Sequence, residues 1–166
     1  MITIDYKDWL INQKRLPDKS SQEAKQFYDF HKQLCLDGFM MNGVFINPFL
    51  YWHLNIWNTE VDFIDEKGRI GQKYQNPSLR DNEWIVTNEI ERAHQEKKGL
   101  LILGIRRFAK SVLEASYISC GATFDENSQN VIAGLSGPDI KLITDKIDKG
   151  LNFIPNYWKW QRINIS

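Results

Sequence analysis

An unbroken apolar run, Leu100-Leu101-Ile102-Leu103, leads through six residues into Lys110 and a helical stretch from Ser111 to Cys120, closed by Gly121. Four apolar residues with no polar alternation predict a strand covered on both faces, as in a parallel sheet. The flanking sequence keeps that rhythm. After Asn76-Pro77-Ser78, a helical pattern sets Val86, Ile90 and Ala93 on one side, collects Lys97 and Lys98 at its end and stops at Gly99. Beyond the central helix, Asn130 to Gly134 predicts another short buried strand, and Pro138 opens a helix with Ile140, Ile143 and Ile147 on its apolar side. Alternating strands and helices predict an α/β domain over residues 76–166, a parallel sheet flanked by helices.

Residues 1–75 read differently, as an N-terminal extension. Residues 1–20 are polar, and Ser20 with Glu23 forms a capping-box pattern that opens a helix running to Asp37 and stopping at Gly38. Ala24, Phe27, His31 and Leu34 share its apolar stripe, and a histidine in such a stripe is expected to be packed rather than to act as a ligand. From Gly43 to Trp57 the chain is dense in aromatic and apolar residues: Phe45, Phe49, Tyr51, Trp52, Leu54 and Trp57, with Pro48 among them. Such a block predicts core or a packing surface, although aromatic rings also stack on bases. Val61 to Ile64 and Arg69 to Lys73 flank Asp65-Glu66-Lys67-Gly68 and predict a β-hairpin.

The 166 residues carry 21 Lys plus Arg against 21 Asp plus Glu, so no global positive field draws the chain to DNA or to a membrane surface. Any nucleic-acid contact must be local. The two cysteines, Cys35 and Cys120, are too few for a disulfide framework and lack the spacing of a zinc site; they read as small buried hydrophobes in a reducing compartment. No apolar run approaches the roughly 18 residues of a membrane span. A soluble, unsecreted protein is expected.

The loop between the central strand and helix carries the chemistry. Gly104-Ile105-Arg106-Arg107-Phe108-Ala109-Lys110-Ser111 follows the Walker A spacing G-x-x-x-x-G-K-[ST] except that Ala109 stands where glycine is usual. A loop leaving a strand and entering a helix aims backbone N–H groups inward, and the helix N-terminus adds partial positive charge. Gly104, Arg106, Arg107, Phe108, Ala109, Lys110, Ser111 and Val112 are therefore the expected nucleotide contacts. Lys110 is placed to reach the β- and γ-phosphates of ATP, and the Ser111 hydroxyl to ligate Mg²⁺. The methyl of Ala109 crowds the position where backbone should approach phosphate and weakens the expected grip. Arg106 or Arg107 could offset charge in the transition state, as an arginine finger does. A plain βα turn with solvated side chains is the alternative.

With those residues in place, the run from Glu89 to Ile118 resembles the ATPase domain of tailed-phage large terminase subunits. Its Glu-Ile-Glu-Arg-Ala helix, Lys-Lys-Gly-Leu-Leu-Ile-Leu-Gly strand and Ile-Arg-Arg-Phe-Ala-Lys-Ser loop carry the likeness. The block Phe45 to Asn55 is similar to the aromatic segment preceding that core, and with Leu79 to Trp84 the likeness covers about half of the chain. The resemblance implies an incomplete P-loop NTPase fold and a motor that spends ATP to move double-stranded DNA into a capsid. It further implies a homo-oligomeric ring on the portal protein, a small terminase subunit as partner, and the cytoplasm of an infected bacterial host. Lys110 and Arg106 are the catalytic residues it implies, with ATP and Mg²⁺ as cofactors and Ser111 as the metal residue. Asp81, Glu83 and Trp84 occupy the place where the family contacts adenine. No apolar run ending in acidic residues, the Walker B pattern, follows Ser111, and no acidic nuclease cluster does. The expectation is an N-terminal piece of a longer protein, with weak nucleotide binding and little or no turnover alone. Another P-loop DNA-dependent ATPase or helicase, or a non-catalytic piece with a vestigial loop, are the competing readings.

Overall fold

The computed structural model describes residues 18, 21–103, 110–125, 129–133 and 136–159. Helix α1 (Gln22–Asp37) opens where Ser21 accepts a hydrogen bond from the Ala24 N–H at 3.1 Å. The cap falls one residue after the expected Ser20, because the Ser21 hydroxyl also donates to the Asp18 carbonyl at 2.7 Å and so fixes the turn before the helix. Gly38 ends the helix in the left-handed region, with φ of 66°, and its N–H returns to the Leu34 carbonyl. Ala24, His31 and Cys35 are buried, while Phe27 and Leu34 are partly buried against the core.

Strands β1 (Phe39–Met41) and β2 (Val44–Ile46) pair antiparallel across Asn42-Gly43. Both turn residues have positive φ, 49° and 78°, as a two-residue turn of the mirror-image type requires. Helix α2 (Pro48–Asn55) follows at once, with the Asn47 side chain accepting from the Leu50 N–H at 2.7 Å and Pro48 in its first turn. Every residue from Phe49 to Asn55 is buried. A helix that is apolar all round must sit inside, and α1, α3 and α4 all pack on it. The aromatic block is core, as expected, although Phe45 is 39% exposed.

Strands β3 (Thr59–Ile64) and β4 (Ile70–Gln75) form the expected hairpin, in a register running from Thr59 opposite Gln75 to Ile64 opposite Ile70. Its turn is tied by Asp65, which accepts from the Lys67 and Arg69 N–H groups at 2.9 and 2.8 Å and from the Arg69 Nε at 2.7 Å. Those bonds hold the Asp65 carboxyl below its ordinary range.

Helix α3 (Asp81–Gln95) begins after Arg80. Arginine has no side-chain acceptor, so only the reciprocal half of a capping box forms: Glu83 accepts from the Arg80 N–H at 3.1 Å. Helices α4 (Lys110–Phe124) and α5 (Gly137–Leu151) pack on each other, and α5 also meets β3. A short 3-10 turn, Asn156–Trp158, puts Trp158 back into the core. As expected, Ile143 and Ile147 pack inward from α5.

Four expectations for the second half differ from the structure. Residues 100–103 are not a strand: Leu101 and Leu103 are 80% and 84% exposed, and the run has no ladder partner among the described residues. Residues 130–133 likewise adopt no strand, and Val131 is 90% exposed. Each run depends on a neighbouring strand for its backbone hydrogen bonds, and an apolar run without one has no reason to extend. The strand pairings described are antiparallel, and the expected parallel sheet is not among them. Helix α4 also passes through Gly121 to Phe124 instead of stopping there. Glycine costs a helix interior only about 1 kcal/mol, and the buried Ser119 and Thr123 on either side hold the helix in contact. The described residues therefore mix five α-helices with two small antiparallel sheets. No helix among the described residues is long and apolar enough to cross a membrane.

Candidate functional site

Helix α4 carries the described part of the expected phosphate site. Lys110 is its first described residue, exposed, and Ser111 and Val112 follow half-buried. Gly104, Arg106, Arg107, Phe108 and Ala109 lie outside the described residues.

The position of α4 is fixed by the aromatic helix beneath it. Trp52 Nε1 donates to the Ser116 carbonyl at 3.1 Å, and His53 Nδ1 lies 2.9 Å from the Ser116 hydroxyl. Two consecutive residues of α2 thus hold one residue of α4, two turns after Lys110. Burial pushes the His53 pKa down to about 3, so the ring stays neutral in this contact. Ala115, Ser116 and Ser119 are small enough to let the helix backbones approach, and the Ser119 and Thr123 hydroxyls satisfy themselves on carbonyls one turn back.

A cleft of about 510 Å³ opens between α3 and α4. Val86, Ile90 and Ala93 line it from α3, Leu113 and Tyr117 from α4, and Leu100 and Ile102 from the segment between. Its polar groups are His94, Lys98, Lys110 and Glu114. Tyr117 is held edge-on against Phe49, ring centroids 5.2 Å apart. Lys98 pairs with Glu96 at 2.8 Å. The cleft therefore combines apolar side chains with two ammonium groups and one carboxylate.

The expected adenine contacts take other roles. Glu83 is buried and caps α3, its carboxyl raised by burial against the opposing pull of the Arg80 N–H. Trp84 packs against the core, and neither it nor Asp81 lines the cleft. His31 is packed, as expected, bonded through Nδ1 to the Tyr51 hydroxyl and stacked on its ring at 5.9 Å. The thiols of Cys35 and Cys120 are free, and burial pushes Cys120 up to about 12. Among the described residues no group of three His, Cys, Asp or Glu could hold a metal ion. Mg²⁺ carried on nucleotide phosphates needs no such cage, since it is held by one or two protein oxygens, phosphates and water, and a first-turn serine hydroxyl fits that donor set. The cleft itself was missed in the sequence. Its one signal was that Val86, Ile90 and Ala93 form an apolar face whose partner the sequence does not name.

No family model, curated protein or solved structure matches this chain.

Proposed function

We propose that this chain is the ATP-binding part of a DNA-packaging motor of the tailed-phage terminase kind, a P-loop ATPase that moves double-stranded DNA. In this reading Lys110 neutralises the β- and γ-phosphates, the Ser111 hydroxyl supplies one oxygen to Mg²⁺, and Arg106 offsets charge on the transferring phosphoryl group. Portal protein and small terminase subunit are the partners, with copies of the chain in a ring. The observation that carries the reading is the order apolar run, loop, helix around the Lys-Ser pair: Lys110 and Ser111 are the first two described residues of α4, and a loop entering a helix offers an anion backbone amides and the helix dipole. The Walker A spacing of residues 104–111 adds the residue types that this chemistry needs. Lys110 also lines a cleft large enough for a small molecule.

The exposure of Leu101 and Leu103 favours a second reading, a non-catalytic piece whose loop is vestigial, because a phosphate loop relies on a strand to anchor its first residue. Isothermal titration with Mg·ATPγS separates the two. The motor reading expects binding that falls about 10- to 100-fold in Lys110→Ala, the loss of one hydrogen bond to a charged group. Binding that is absent, or indifferent to Lys110, favours the vestigial loop.

A further inference from the structure

We infer that the cleft between α3 and α4 receives the base and ribose of a nucleoside triphosphate, which places the base beside Tyr117 rather than at Asp81 to Trp84. This rests on the reading that puts the phosphates at Lys110. The cleft has the make-up of a small-molecule site: about 510 Å³, within the roughly 300–1,000 Å³ usual for such sites, lined mostly by apolar side chains with a few polar groups among them.

Its walls are complementary stripes. Val86, Ile90 and Ala93 recur at four- and three-residue spacing on α3, and Lys110, Leu113 and Tyr117 at three- and four-residue spacing on α4. Both helices pack on α2, and the two stripes line the same cleft. A flat heteroaromatic ring fills such a slot, and its faces gain against Tyr117, whose ring Phe49 holds in place. Charge selects which end of the ligand goes where. Lys98 and Lys110 both line the cleft and favour the anionic end beside them, while Glu114, one turn after Lys110, offers an acceptor for ribose hydroxyls. At the α3 N-terminus, by contrast, Glu83 is occupied as a cap and Trp84 is packed against the core, and neither lines the cleft.

The test uses the full chain and two ligands that share the phosphates and differ in the base, Mg·ATPγS and Mg·tripolyphosphate. Ala93→Trp fills the slot from α3, and Tyr117→Ala removes its wall from α4. Either variant should weaken ATPγS by about tenfold, the loss of one stacked base, and leave tripolyphosphate within about twofold. Lys110→Ala should weaken both ligands. Variants at Ala93 and Tyr117 that keep wild-type ATPγS affinity, or that lose both ligands equally, overturn the base site. A Lys110→Ala protein that keeps both affinities overturns the phosphate assignment beneath it. Circular dichroism identifies any variant that fails to fold, and the other then carries the test.

Discussion

Replacing Gly150 with alanine should destabilise the protein, although the same change in most helices does the opposite. Gly150 is the penultimate residue of α5 and is buried. In an exposed helix interior, alanine would gain about 1 kcal/mol over glycine. Here a Cβ would stand well inside 3.0 Å of three carbons of the Trp57 ring. Trp57 is itself only 1% exposed and is a large, flat side chain in a close-packed interior, so it has little room to yield. Overpacking of this kind costs about 1–3 kcal/mol, and the depth of the overlap argues for the upper end. Subtracting the propensity gain leaves a net loss of about 2 kcal/mol. For a chain of this size that lowers Tm by about 4–8 °C and the urea midpoint by about 1 M. Thermal and urea unfolding followed by circular dichroism measure both. Trp57→Phe in the Gly150→Ala background frees space and should recover part of the loss, giving a coupling of about 1 kcal/mol between the two sites. A Gly150→Ala protein more stable than the parent, or a coupling of zero, would refute the packing argument.

Other expectations follow from single residues. His53 is neutral with a pKa pushed down to about 3, while the unfolded chain binds a proton near the ordinary histidine value. The unfolded state therefore holds the extra proton over that window, and stability falls as pH is lowered, by about 2 kcal/mol between about pH 8 and pH 5. His53→Gln should flatten that part of the pH profile of urea midpoints, and an unchanged slope would show that the ring titrates in the fold. The Cys35 and Cys120 thiols, both raised by burial, should resist a thiol reagent in the native protein and react at once in urea; rapid native labelling of either would contradict the packing. Gly38 and Gly43 both have positive φ, but only at Gly38 would a Cβ meet the Ile46 carbonyl and the Phe45 ring. Gly43→Ala should cost about 1 kcal/mol from backbone strain alone, and Gly38→Ala clearly more, in parallel urea titrations.

Much of the first half was legible because its signals are local. The α1 stripe, the stop at Gly38, the hairpin turn at Asp65 to Gly68 and the burial of the aromatic block each depend on neighbours a few residues away. The Asn42-Gly43 hairpin carried an equally local signal, since Asn-Gly is the preferred pair for such turns, but three-residue strands are too short to show alternation. The second half required knowledge of partners. Leu100 to Leu103 has the composition of a buried strand, yet composition cannot supply the neighbour whose backbone a strand must meet. Gly121 looks like a stop only if α4 is judged by propensity, whereas packing of Ser119, Thr123 and Phe124 carries the helix past it. Within the candidate site, the helical character of the residues after Lys110 was readable from the sequence. The cleft was not, because it arises from how α3 and α4 sit on α2.

The most direct test follows the backbone amides at the head of α4 in ¹H–¹⁵N spectra as Mg·ATPγS is added. If an anion sits on the first turn of that helix, the Lys110, Ser111 and Val112 signals move together and saturably, and Lys110→Ala diminishes the shifts while the β3–β4 hairpin signals stay still. Shifts scattered over the hairpin, or none at the head of α4 at saturating nucleotide, would contradict the assignment.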